Sequence, residues 1–133
     1  MSDQGTGAAP AEPPTWLDIA IVGPCASGKS TLAKQLQQLG YRARQIVQEH
    51  SYVADMWKVM GNPDLLIFLD ASFATCSRRK SLDWQEQEYL EQRRRLRHAR
   101  EHCDLYIETD ALNPEDVLQI ALRALRVVRQ PPV

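Results

Sequence analysis

Apolar positions in this chain fall into short runs that alternate with stretches of helical spacing. Leu17-Asp18-Ile19-Ala20-Ile21-Val22 is mostly apolar and ends at a glycine, the pattern of a strand buried on both faces of a parallel sheet. From Lys29 to Leu39, Leu32, Leu36 and Leu39 recur at i, i+4 and i+7, and Gly40 follows as a natural helix stop. Tyr41 to Gln48 reads as a second strand that ends in Glu49-His50. Ala43, Ile46 and Val47 are its inward positions, and Arg42 and Arg44 mark a half-exposed edge. Between His50 and Pro63 there is room for one short helix, with Val53, Met56, Trp57 and Met60 on one side and Gly61-Asn62-Pro63 stopping it.

Leu65-Leu66-Ile67-Phe68-Leu69 is the most apolar run and predicts a central strand. Ser72 caps a brief helix through Cys76 to Arg79. A longer helix begins near Asp83, with Glu86 three positions on in a capping-box-like start, and runs to about His102. Leu105-Tyr106-Ile107 is a short fourth strand with Thr109 to Leu112 as its exit loop. Asn113-Pro114-Glu115-Asp116 then opens a last helix with a cap, a proline at the first helical position and acids in the first turn. Val117, Ile120, Ala121, Ala124, Leu125 and Val128 give that helix its core face.

Strands and helices alternating four times require crossover connections and a parallel sheet covered on both faces. The expected fold is therefore α/β: a three-layer arrangement on a minimal four-stranded parallel sheet of order 2-1-3-4. Ligands of such sheets bind beyond the carboxyl ends of the strands. On that edge lie Gly23 to Thr31, Glu49-His50, Asp70-Ala71-Ser72 and Thr109-Asp110.

Composition sharpens this picture only locally. The 133 residues are 44% hydrophobic, enough for one ordinary core. Residues 1–14 are mostly Gly, Ala and Pro, with little to bury, and read as a disordered leader. The domain is expected over residues 15–130 and a short tail over 131–133. A net charge of −1 favours neither a nucleic-acid coat protein nor an acidic tail. Cys25, Cys76 and Cys103 are odd in number and widely spaced, which indicates reduced thiols in a cytoplasmic protein rather than a disulfide framework or a structural metal. No apolar run is long enough to span a bilayer, and no membrane partner is expected.

The most informative chemistry is Gly23-Pro24-Cys25-Ala26-Ser27-Gly28-Lys29-Ser30, followed by Thr31, which fits the phosphate-binding pattern G-x-x-x-x-G-K-[ST] at every fixed position. Its glycines let the backbone curl so that successive N–H groups converge on anionic oxygens, and the helix that follows adds its positive end. Lys29 is expected to reach the β- and γ-phosphates of ATP and Ser30 to hold Mg²⁺. The competing reading, a tight turn that happens to carry Gly and Lys, arises in roughly one chain of this length in two hundred from average residue usage. The strand before the loop and the helix after it make it rarer still.

Together with Pro63-Asp64-Leu65-Leu66-Ile67-Phe68-Leu69-Asp70, Ser72 to Arg79, the charged helix and Cys103-Asp104-Leu105-Tyr106-Ile107 before Pro114-Glu115-Asp116, this loop resembles the small P-loop kinases of the nucleoside, nucleotide and shikimate kinase-like group. The resemblance covers about residues 16–128, and only the phosphate loop is a specific motif. It implies that Gly23, Gly28, Lys29, Ser30 and Thr31 bind phosphate and magnesium. It implies that Arg78 or Arg79 stacks on adenine or clamps the transferring phosphoryl group, and that Thr109 to Leu112, including Asp110, borders the base. It also sets Glu49 near the carboxylate that accepts a proton from the acceptor hydroxyl. The segment from His50 to Asp64 is too short for both the acid-bearing strand and the acceptor-gripping helices of that group. Either Asp70 is the magnesium-orienting acid or that strand is missing; in the latter case Asp70 only caps the next helix, and Glu49 or Asp55 must orient the metal.

From Arg78 to Arg100, eight of the sixteen basic residues accompany four acids, a local net of +4 (8 − 4). Arg93-Arg94-Arg95, Arg97, His98 and Arg100 read as an anion-facing lid, as a surface for an anionic partner, or as a solvated helix with acids early and bases late. The functional expectation is an ATP- and Mg²⁺-binding, kinase-like protein that transfers the γ-phosphoryl group to a small-molecule acceptor. The alternative is a nucleotide-binding regulatory or interaction module with little catalysis. Nucleic-acid handling is a third and weaker reading; it predicts a steep salt dependence of oligonucleotide binding.

Overall fold

A computed structural model describes residues 13–80 and 83–128. Four strands, β1 (Asp18–Val22), β2 (Arg42–Gln45), β3 (Leu65–Asp70) and β4 (Leu105–Glu108), form one all-parallel sheet in the order β2-β1-β3-β4. This is the expected 2-1-3-4 order. Ile19 pairs with Ala43 on one side and Leu65 on the other, and Phe68 pairs with Tyr106. The helices are α1 (Lys29–Gln38), α2 (Met56–Val59), α3 (Phe73–Lys80), α4 (Glu86–His102) and α5 (Pro114–Leu125).

Successive side chains of a strand point to opposite faces, so the two central strands divide their apolar residues between two cores. Ile19, Ile21, Ile67 and Leu69 pack with Leu32 and Leu36 of α1 and Val117, Ala121 and Leu125 of α5. Ala20, Val22, Leu66 and Phe68 pack with Trp57 of α2 and Leu96 and Ala99 of α4. Helices thus cover both faces of the sheet, which explains why β1 and β3 carry almost uninterrupted apolar runs. Leu36 is fully buried, so Leu36→Ala would cost about 2–5 kcal/mol.

The helix ends follow local chemistry. At the end of α1, the N–H of Tyr41 donates to the carbonyl of Leu36 (3.0 Å) and that of Gly40 to Gln37 (3.0 Å), the paired bonds of a Schellman stop. At α5, the N–H of Asp116 donates to Asn113 Oδ1 (2.8 Å) and that of Asn113 to Asp116 Oδ2 (3.1 Å).

Three local expectations are corrected. The second strand stops at Gln45, and Glu49-His50 belong to a single 3₁₀ turn, Gln48–His50. The cause is Gln48, whose fully buried amide accepts from the Trp57 N–H (2.8 Å) and donates to the carbonyls of Val53 (2.8 Å) and Arg95 (3.3 Å). The helix after it is one turn, and only Trp57 among its expected apolar side is buried; Val53 and Met60 face solvent. The start of α4 shifts from Asp83 to Gln85, whose N–H donates to Glu88 Oε1 (3.1 Å). Residues 1–12 of the expected leader and the tail 131–133 lie outside the described residues.

No helix among the described residues is long and apolar enough to cross a membrane.

Candidate functional site

The chain leaves β1 at Val22 and enters α1 at Lys29, so Gly23 to Gly28 must reverse direction above the carboxyl edge of the sheet. Gly23 does this against β3. A Cβ there would lie 2.1 Å from the carbonyl oxygen of Leu69 and 2.7 Å from Ser27 Oγ, so no side chain fits. Positive φ angles at Ala26 (66°) and Gly28 (105°) complete the curl. Beneath it, Lys29 is buried. Its Nζ donates to the carbonyls of Gly23 (2.8 Å) and Pro24 (3.0 Å) and pairs with Glu49 Oε2 at 2.9 Å.

Glu49 reaches Lys29 because β2 lies directly beside β1, on the side opposite β3, and the 3₁₀ turn follows β2 at the carboxyl edge. Only 3% of Glu49 is exposed. One carboxylate oxygen is spent on Lys29; the other, Oε1, is buried without a hydrogen-bond partner, as is Ser27 Oγ. Buried polar atoms are ordinarily satisfied, so these two, one on the phosphate loop and one on the neighbouring 3₁₀ turn, are unspent hydrogen-bonding capacity beside Lys29.

Around this loop opens a cavity of about 470 Å³. Its loop side is Cys25 to Leu32, with Ser30 and Thr31 exposed; its far wall is Thr109, Leu112, Asn113, Pro114 and Val117. Arg79 of α3 joins the two sides. It donates to the Ala26 carbonyl (3.2 Å), to Thr109 Oγ1 (3.0 Å) and to the Thr109 carbonyl (2.6 Å).

Of the other expected site residues, Gly23 through Thr31, Glu49 and Arg79 are brought together, and Arg78, Asp70, Asp110 and Asp55 are not. Arg78 is exposed and is not among the residues that line the cavity. Asp110 accepts from the N–H of Ser72 (2.9 Å) and lines a second cavity of about 330 Å³ with Asp70, Tyr89, Arg93 and Tyr106. Asp55 precedes α2, half-buried, outside the loop's cavity.

Asp70 is corrected from a magnesium-orienting acid to an anchor for α4. Arg93 donates to its Oδ1 (2.7 Å) and Oδ2 (3.3 Å), Tyr106 to Oδ2 (2.5 Å), and the N–H of Ala71 to Oδ1 (2.9 Å). Burial alone would raise the Asp70 pKa, but the hydrogen bonds from Arg93 and Tyr106 and the guanidinium charge hold it below the usual carboxylate range. Burial likewise pushes the Cys76 thiol up to about 11.

The basic helix is no lid. Leu96 and Ala99 bind α4 to the sheet, and Arg93 is committed to Asp70. Arg94 and Arg95 pair with Glu91; Arg95 also donates to the Glu49 carbonyl (3.3 Å) and lies over the Tyr52 ring, while Arg100 lies over Tyr106.

Sequence reasoning missed Gln92 of α4. It accepts from the Cys25 N–H (3.0 Å) and donates to Cys25 Sγ (3.1 Å), holding the loop from the side. A signal existed: Tyr89, Gln92, Leu96 and Ala99 recur at helical spacing and are all buried, so a glutamine sat on the core face of an otherwise charged helix.

The residues fit a magnesium-bound nucleoside triphosphate. The start of α1 at Lys29 offers helix N-terminal N–H groups for phosphate, and the Ser30 hydroxyl and Glu49 carboxylate offer the hard oxygen donors magnesium prefers. The orphan Glu49 Oε1 and Ser27 Oγ supply unsatisfied polar atoms at the same place. Comparison with protein-family models and with curated protein sequences finds no match to this chain.

Proposed function

We propose that this chain is a cytoplasmic, ATP- and Mg²⁺-binding P-loop protein of kinase-like mechanism that transfers the γ-phosphoryl group to a small acceptor. The observation that carries the reading is the buried Lys29–Glu49 pair under a loop only glycine can form at position 23. In the arrangement seen, Lys29 spends its protons on two loop carbonyls and one carboxylate. With nucleotide bound, Lys29 would exchange a carbonyl for a phosphate oxygen and neutralise charge there, and Ser30 and Glu49 would hold the metal and its waters. Magnesium, when bound, would neutralise charge that develops on the phosphates. Arg79, already spanning Ala26 and Thr109, fixes the far side of the nucleotide. Phosphoryl transfer depends on such positioning and charge stabilisation rather than on covalent participation.

One observation favours a second reading, a nucleotide-binding regulatory module. Between the 3₁₀ turn and β3 the chain forms only the one-turn α2, so no pair of helices encloses an acceptor. A calorimetric titration with ATP and magnesium, followed by incubation of γ-labelled ATP with nucleosides, nucleoside monophosphates and small hydroxylated metabolites, separates the two. One-to-one binding with acceptor-dependent product supports the kinase. Binding without turnover supports the module, and absence of binding removes both.

A further inference from the structure

At the mouth of the phosphate loop, two donors that magnesium chemistry does not use, Cys25 and His50, stand beside Glu49. Cys25 of the loop and Glu49 and His50 of the 3₁₀ turn bring a sulfur, a carboxylate oxygen and an imidazole nitrogen within 4.8 Å of one another. We propose that these three residues form a binding site for zinc or a cation of similar softness, with the fourth position open to solvent.

Three observations point to a metal rather than to chance proximity. The first is spacing. Bonds of about 2.3 Å to sulfur and about 2.0–2.1 Å to nitrogen, set at the tetrahedral angle, put the two ligand atoms about 3.6 Å apart. Cys25 Sγ and His50 Nε2 are 3.6 Å apart. Glu49 Oε2, the oxygen that pairs with Lys29, lies 4.0 Å from His50 Nε2, so a turn of the carboxylate and of the exposed imidazole is needed to present the free Oε1 to the cation.

The second is the unspent carboxylate oxygen. Glu49 is 97% buried, Lys29 takes Oε2, and Oε1 has no partner. A carboxylate can bridge an ammonium and a metal with its two oxygens. The third is the support behind the sulfur. Gln92 donates to Cys25 Sγ and accepts from the Cys25 N–H, so the thiol is oriented from outside the donor set, as ligands of metal sites are. His50, more than half exposed, leaves an entry path.

The donor types set the ligand class. Thiolate and imidazole select zinc, cobalt or copper(I) over magnesium and calcium. Binding is a coordination step without oxidation: Cys25 releases its thiol proton to solvent, and sulfur, nitrogen and oxygen lone pairs fill three metal positions.

Occupancy ties Cys25 to His50 across the loop and engages the carboxylate that faces Lys29. If the nucleotide reading above holds, zinc and nucleotide therefore antagonise one another.

The test is a zinc titration of the full chain against a chromophoric chelator, with Co²⁺ as a spectroscopic substitute. Wild-type protein is expected to take up one equivalent and to show a thiolate-to-cobalt charge-transfer band. Cys25→Ser and His50→Ala, both at accessible positions, should each weaken zinc at least about 100-fold, and Gln92→Ala about 10-fold. Cys103→Ser should leave zinc affinity unchanged. Zinc affinities of Cys25→Ser and His50→Ala within twofold of wild type, with native circular dichroism, overturn the site. Ser30→Ala, at an exposed position outside the donor set, should keep zinc and weaken magnesium-dependent nucleotide binding, so failure of the nucleotide reading is distinguishable from failure of this one. With zinc seated at Cys25, one equivalent should weaken ATP at least about tenfold; unchanged ATP affinity overturns the antagonism.

Discussion

Two acid–base pairs sit on the carboxyl edge of the same sheet, and they differ in what they leave undone. Asp70 accepts from two guanidinium nitrogens, a phenol and a backbone N–H, and Arg93 lies over the Tyr89 ring; this pair is closed. Lys29 and Glu49 meet at a similar distance, 2.9 Å, yet one Glu49 oxygen and the neighbouring Ser27 hydroxyl have no partner. Unsatisfied buried groups cost free energy that a merely structural pair has no reason to bear. The Asp70 pair therefore holds α4 to the sheet, and the Lys29 pair retains the unspent capacity on which the nucleotide proposal rests.

That contrast can be broken most forcefully at Lys29. Lys29→Ala should weaken ATP binding by about 100-fold or more, because it removes a buried charge from the ligand's side of the site. Calorimetry with magnesium present reads this directly, and an affinity within threefold of wild type ends the distinction. Asp70→Asn should do the reverse. It leaves Arg93 unpaired and is expected to cost about 2–4 kcal/mol, somewhat below the full cost of breaking a buried pair because a third of the Arg93 side chain is in solvent. Chemical denaturation should show that loss, and ATP affinity should not change.

Acid sharpens the same point with a smaller effect. The Asp70 pKa is lower folded than unfolded, so its contribution to stability is complete above the unfolded value of about 3.9. It declines as pH falls through that value and is gone below the folded one. Denaturation midpoints of wild type and Asp70→Asn between neutral pH and pH 2 should converge at the acid end; parallel curves would contradict the assignment. The smallest expected effect is at Arg79, whose partners are all neutral oxygens. Arg79→Ala should weaken ATP about three- to tenfold. It should also leave the Asp70 half untouched, with unaltered thermal stability of α4 by hydrogen exchange as the check.

How much of this was legible beforehand depended on how far each feature's causes lie along the chain. The strand, loop and first helix from Leu17 to Leu39 were legible because their determinants are local: an apolar run, glycines where backbone must curl, leucines at helical spacing. The start of α5 at Asn113-Pro114 was legible for the same reason. The sheet order followed from alternation and from the apolar runs of β1 and β3. The 3₁₀ turn was not legible, since it exists because a polar residue, Gln48, is buried against Trp57, Val53 and Arg95. Likewise, Asp70 looked free to orient a metal until Arg93 and Tyr106, 23 and 36 positions away, were seen to occupy it. The meeting of Cys25 with His50 spans 25 positions and has no spacing rule to announce it.

The contact between Gly23 and the Leu69 carbonyl bears on how the protein is made. A nascent chain that has emerged as far as about residue 60 already contains the whole phosphate-binding motif, Lys29 and Glu49, because domains fold as synthesis proceeds from the N-terminus. It lacks β3, the strand that covers one side of β1 and supplies the carbonyl against which Gly23 is seated. A ribosome-stalled fragment ending there should therefore fail to retain nucleotide.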